Sequence, residues 1–95
     1  MSRFTQMVGK HFLKFDAQGQ MSWQGRIITE PTKGVYLCQL YEWLTGGASD
    51  QVLVKIEDMM HWQFYDSAED RNDAAQRKME ADRLMVRDES ETAPN

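Results

Sequence analysis

The chain has 95 residues, 41% of them hydrophobic and 11% aromatic, a single cysteine and a formal net charge of −4. That is one domain's worth of chain, too rich in rings and aliphatic side chains for an intrinsically disordered segment. No run approaches the roughly 18–20 apolar residues of a membrane span, and Cys38 alone cannot form an internal disulfide.

Met1 to Lys10 lacks an apolar run followed by a small-residue cleavage site, so no secretory signal is visible. With the lone cysteine, this predicts a cytoplasmic protein without membrane association. Charge is unevenly placed. Up to Tyr65, Asp16, Glu30, Glu42, Asp50, Glu57 and Asp58 balance Arg3, Lys10, Lys14, Arg26, Lys33 and Lys55. The whole net charge of −4 therefore falls after Tyr65. A neutral body with an acidic tail lacks the footprint of a general nucleic-acid binder, although it leaves room for a small basic patch.

Residues 1–9 carry no pattern and read as a flexible N-terminal arm. His11 to Phe15 reads as a short strand, followed by a turn over Asp16 to Gln20 in which Gly19 can take positive φ. Met21 to Glu30 alternates, with Met21, Trp23 and Ile27 on one face and Ser22, Gln24 and Arg26 on the other. Gly25 interrupts this strand and predicts a bulge or sharp bend there. Pro31 to Gly34 carries a strong turn signal. Val35 to Trp43 is the most continuous strand, with apolar residues on both parities, so that both faces are expected to be at least partly covered. Thr45 to Asp50 reads as a flexible loop, and Gln51 to Ile56 as a strand with Val52, Val54 and Ile56 inward. Glu57 to His61 breaks the alternation as a single 3₁₀ turn would, with Glu57 and Asp58 placed to cap it. Trp62 to Tyr65 completes five short strands at roughly ten-residue spacing, the pattern of an all-β barrel or sandwich.

At Asp66-Ser67 the pattern changes. Ser67 and Asp70 stand at capping-box spacing, with Asp66 and Glu69 in an equivalent register. The following residues are good helix formers without Gly or Pro. A charged helix is predicted over 67–87, supported by an Asp73–Arg77 pair and carrying a thin seam of Ala68, Ala75, Met79 and Val86. Residues 88–95 are polar and predicted to be disordered.

The side chains do not assemble a catalytic pattern. His11 and His61 are far apart in sequence, and no His, Cys, Asp or Glu cluster has metal-ligand spacing. Cys38 lies mid-strand and reads as a small buried hydrophobe. Gly46-Gly47 is followed by neither GK[ST] nor a helix, so it reads as a plain loop and not as a phosphate cradle. No cofactor is expected. The aromatics are more informative. A barrel of about sixty residues cannot bury every ring, and exposed rings with polar neighbours are enriched at binding surfaces. Tyr36, Trp43, Tyr65 and Trp23 are the candidate partner-binding residues. Arg26, Lys33 and Lys55 are the candidates for a nucleic-acid patch.

Trp23-Gln24-Gly25-Arg26-Ile27, then Gly34-Val35-Tyr36 and the Val52 to Ile56 strand, resemble small SH3-like barrels. The layout is similar to that of plasmid-borne type II dihydrofolate reductases, tetramers of SH3-like barrels around one shared pore-shaped active site. Gln51-Val52-Leu53-Val54 stands where that family has Val-Gln-Ile-Tyr, so no reductase residue is carried over. Phe12 to Asp66, with Phe64-Tyr65-Asp66-Ser67-Ala68-Glu69, also resembles small proteins carried by bacterial mobile elements. Those resemblances imply a five-stranded SH3-like barrel over 10–66 followed by a C-terminal helix, in a bacterial accessory protein. The expected function is non-enzymatic protein binding or regulation, with self-association as a further possibility. The alternatives are a nucleic-acid-binding barrel, an inhibitor of a host defence protein, and an oligomeric enzyme with a shared site.

Overall fold

The computed structural model describes residues 7–92, with side chains described through Leu84. Five antiparallel strands form one sheet: β1 His11–Phe15, β2 Met21–Thr32, β3 Val35–Tyr41, β4 Ala48–Lys55 and β5 Gln63–Tyr65. A 3₁₀ turn, Ile56–Met59, separates β4 from β5, and helix α1 follows over Ala68–Thr92. The strand order is β4-β3-β2-β1-β5. The two ends of that order, β4 and β5, are edges among the described residues, so the hydrogen-bonded sheet is open where a closed barrel was expected.

Each connection follows from local chemistry. In the β1–β2 turn, Asp16 Oδ1 accepts from the backbone N–H of Gln18 and Gln20, both at 2.9 Å, and Gly19 takes φ of 79°. In the β2–β3 turn, the Gly34 N–H donates to a Glu30 carboxylate oxygen at 2.9 Å. The β3–β4 loop is held by Glu42 N–H to Gly47 O at 2.9 Å and by the Thr45 hydroxyl on Glu42 Oε2 at 3.0 Å. Such a loop is tied down, not the slack one its composition predicts. Strand β4 begins at Ala48, three residues before the expected start at Gln51. Glu57 and Asp58 lie within the first turn of the 3₁₀ element, and no side chain caps it.

The core lies against one face of the sheet. Phe12 of β1, Ile27 of β2, and Tyr36, Cys38 and Leu40 of β3 meet Met59 and Trp62, with Val52, Val54, Ile56, Trp23 and Phe64 packed at the margin. Trp62 is the hub. Its ring is 4.6 Å from that of Phe12, 6.1 Å from Trp23 in an edge arrangement and 6.5 Å from Phe64. Gly25 pairs in register with both Phe12 and Leu40, and the irregularities of β2 flank it: one between Met21 and Trp23, opposite Lys14 and Phe15, and two between Ile27 and Thr32. The expected bulge therefore falls on either side of Gly25 and not at it. What Gly25 supplies is clearance: a Cβ there would collide with the Gln39 carbonyl oxygen and stand 2.6 Å from Phe12 Cζ.

Leu13, on the opposite parity to Phe12, is also buried. Strand β1 lies between the core and the helix, which contacts β1 and β5. Ser67 caps α1, its hydroxyl accepting from the Asp70 N–H at 3.1 Å. The helix runs to Thr92, past the boundary expected at residue 87 and into the stretch expected to be disordered; residues 93–95 of that stretch lie outside the described residues. Among the described side chains of α1 the i,i+4 ion pair is Lys78–Asp82 at 2.8 Å, not Asp73–Arg77. The N-terminal arm is likewise corrected in part. Met7 is buried, and the Gly9 N–H donates to Ile27 O at 2.8 Å, so the last residues before β1 are anchored to β2. Among the described residues no helix is long and apolar enough to cross a membrane.

Candidate functional site

The seven residues singled out by sequence do not come together. Tyr36 is 1% exposed and belongs to the core, so it offers no recognition surface. Its parity is that of Cys38 and Leu40, which is the buried face of β3; burial, followed by the neighbouring Glu30 carboxylate, pushes its phenol pKa up. Trp23 is half-buried, with Trp62 at its edge and Lys14 Nζ 3.9 Å from its ring centroid. Tyr65 is half-buried beside Lys10, Asp66, Asp70, Asp73 and Arg77 on one flank of α1. Of the four rings Trp43 alone is exposed, at 38%, and it lies beyond the end of β3 in the β3–β4 loop, not in the strand that was expected to contain it.

Arg26, Lys33 and Lys55 are all exposed. Lys55 pairs with Val35, next to the turn that holds Lys33, whereas Arg26 pairs with Gln39. Four residues along β3 separate those two positions, about 13 Å, and the two cations lie on opposite sides of β3. These three charges are spread over the sheet and do not form one patch.

A different feature is assembled by the fold. A groove of about 480 Å³ runs between the β3–β4 loop and the first turns of α1. Trp43, Leu44, Thr45 and Gly46 line it from the loop; Arg71, Asn72, Ala75, Gln76 and Met79 line it from the helix; Gln24 contributes from β2. Its volume lies in the range of ordinary ligand clefts. Local structure places each wall. Gln24 Nε2 donates to the Glu42 carbonyl at 3.0 Å, fixing where the loop leaves the sheet. Gly46 takes φ of 73°, and its N–H donates to Glu42 O at 3.0 Å. The resulting tight loop leaves Leu44 99% exposed beside Trp43. On the helix, Arg71, Ala75 and Met79 recur every four residues and so share one face.

Arg71 is the unexpected member. It is only 6% exposed. Its Nη1 donates to the Gly25 carbonyl at 3.2 Å and lies 3.3 Å from His11 Nδ1, while Nη2 donates to Asn72 Oδ1 at 3.1 Å. The guanidinium carbon sits 5.3 Å from the centroid of the Tyr41 ring. Burial pulls the Arg71 pKa down, yet guanidinium stays protonated in proteins. Burial, then Arg71, then Arg26 lower the pKa of His11, which keeps its ring neutral and able to accept at Nδ1. Sequence reasoning assigned the helix seam to Ala68 and missed Arg71. The signal was present as an arginine four residues before Ala75 and eight before Met79, in line with both. Of the expected seam, Ala75 is buried, Ala68 and Met79 are exposed, and the Val86 side chain lies outside the described residues.

Cys38 is buried and burial pushes its thiol up to about 11, which makes it a poor nucleophile. Among the described residues no three His, Cys, Asp or Glu side chains are grouped to hold a metal. No protein-family profile, no curated protein and no solved structure matches this chain.

Proposed function

We propose that this chain is a non-enzymatic protein-binding module of SH3-like architecture, acting as a cytoplasmic accessory or regulatory component of a bacterial mobile element. Its strand order, its long irregular β2 and the 3₁₀ turn between β4 and β5 support the architecture. The resemblance of Phe12 to Asp66 to small mobile-element proteins supports the setting. The observation that carries the binding reading is the groove. Trp43 and Leu44 stand uncovered at its rim while comparable rings in the sheet are packed away. Aromatic and aliphatic groups at the edge of a preformed cleft are typical anchors for a partner. The polar lining consists of amides, one hydroxyl and one guanidinium, a set suited to recognition and lacking a paired nucleophile and base.

The test compares capture of a native-host partner by the wild-type chain, a Trp43→Ala/Leu44→Ser variant and a Leu53→Ser control on β4. Circular dichroism checks that all three fold. Loss of capture in the loop variant alone is expected. Equal capture by the loop variant and the wild type would move the docking surface elsewhere.

A further inference from the structure

Among the described residues, Arg71 is a cation sunk into the molecule without an anion beside it. Guanidinium has five N–H donors. Nη1 serves His11 and the Gly25 carbonyl, and Nη2 gives one hydrogen to Asn72. Nε is buried and donates to nothing. All three acceptors are neutral, and none of the ion pairs among the described residues includes Arg71. A buried charge lacking a counter-charge is a standing cost, and a Leu or Met could fasten the helix without it. The donors left over are instructive. Nε and Nη2 form one side of the guanidinium, the fork that grips a carboxylate through two parallel hydrogen bonds. Here that side holds a single bond, to the amide of Asn72, an exposed residue.

We propose that the groove receives a protein segment in which a carboxylate stands next to a large apolar side chain. The carboxylate replaces the Asn72 amide on the Nε–Nη2 fork of Arg71, and the apolar group lies against Trp43 and Leu44. This inference rests on the reading of the groove as the docking surface and names the chemistry it selects. Arg71 is the single charged residue of the lining. The chain as a whole carries −4, so a polyanion would be repelled, whereas one monoanion can be matched.

The test uses wild-type protein and four small probes: N-acetyl-phenylalanine, its amide, N-acetyl-Phe-Asp-amide and phenyl phosphate. Binding is followed by ¹H–¹⁵N NMR at the Arg71 Nε–H and the Trp43 indole N–H. The two carboxylate probes should shift both signals, and the neutral amide should bind at least about tenfold more weakly, a difference of about 1.4 kcal/mol. Whichever carboxylate probe binds better tells a chain terminus from an acidic side chain. Arg71→Gln should erase the preference for carboxylate over amide, and Leu44→Ser should weaken every probe. Equal binding of amide and carboxylate overturns the role of Arg71 while leaving the docking groove in place, as does a Trp43 shift without an Arg71 shift. Tightest binding by phenyl phosphate overturns the carboxylate assignment. Silence at Trp43 with every probe removes the groove as a docking surface altogether. Should Arg71→Gln fail to fold, the ranking of probes on the wild-type chain still decides.

Discussion

The sheet and the helix of this protein are held by different physics. In the sheet, Phe12, Ile27, Tyr36 and Cys38 are almost completely buried, with Met59 of the 3₁₀ turn, around Trp62. Fully burying a large apolar side chain contributes roughly 1.5–3 kcal/mol, so a handful of such residues supplies most of what a small domain needs. The helix has no comparable support. Over its 25 residues, Ala75 is the one buried apolar side chain among those described, and Arg71 is the one buried polar one. Polar contacts tie this region to the sheet: Arg71 bonds to Gly25 and His11 and lies over the Tyr41 ring, and just before the helix the largely exposed Asp66 pairs with Lys10 at 2.6 Å. An exposed ion pair of that kind adds little. The sheet thus carries the fold, and the helix is attached through contacts that solvent, pH and a ligand can tune.

The sharpest way to break that contrast is at Gly25, where the two regions meet. Gly25→Ala forces a methyl group into the Gln39 carbonyl and the Phe12 ring, and it disturbs the carbonyl that holds Arg71. A loss of about 3 kcal/mol or more in urea unfolding is expected, with sheet and helix affected together. Next comes Arg71→Met. It leaves a buried carbonyl and the His11 ring without their donor, at about 1–3 kcal/mol, partly offset by removing an unpaired buried charge. Faster amide exchange in α1 than in β2 and β3 would confirm that the helix is the separable part; uniform acceleration would contradict the contrast.

A smaller effect is expected on acidification. His11 faces Arg71 from the helix and pairs with Arg26 across β2 and Tyr65 across β5. Its folded-state pKa is lowered, so below about pH 6.5 the unfolded chain binds a proton that the folded chain resists. Stability is therefore unaffected by this group above that pH, falls as the pH drops below it, and levels off beneath the folded-state pKa. His11→Gln should flatten this part of the stability profile; an unchanged profile would show that neither burial nor the two arginines disfavour the charged ring. The smallest perturbation is chemical. With its pKa pushed up to about 11 and no exposed surface, Cys38 should resist a thiol reagent at pH 8 in the folded protein and react at the rate of global unfolding. Fast labelling would mean that the β3 core opens locally.

Much of the sheet was legible because its pattern is local. Alternating apolar residues marked β1, β2, β3 and the later part of β4, and Trp62 to Tyr65 carried β5. The start of β4 was not legible. Ala48, Ser49 and Asp50 are polar or small because an edge strand there faces solvent, and nothing in their composition separates them from a loop. The face of Tyr36 was misjudged for a related reason. With apolar residues on both parities of β3, sequence alone does not tell the core face from the covered outer one. Trp43 was correctly singled out as exposed, but the groove beside it was not visible. Its far wall comes from residues about thirty positions later, and its key member is an arginine whose burial depends on a glycine carbonyl in β2. Long-range contacts of this sort leave only a faint periodic trace in the chain.

Strand β5 is three residues long and, among the described residues, pairs only with β1, joining His11 to Tyr65 across more than half the sequence. Joining such distant segments carries a loop-closure cost that neighbouring hairpins avoid. The β2–β3–β4 meander can therefore form first, with β5 zipping on late and opening early. When it detaches, α1 departs with it, and the cleft loses its far wall. Occupancy of the cleft would then act as a clasp on the last-formed seam of the domain, slowing amide exchange at Gln63 to Tyr65 although the ligand touches none of them.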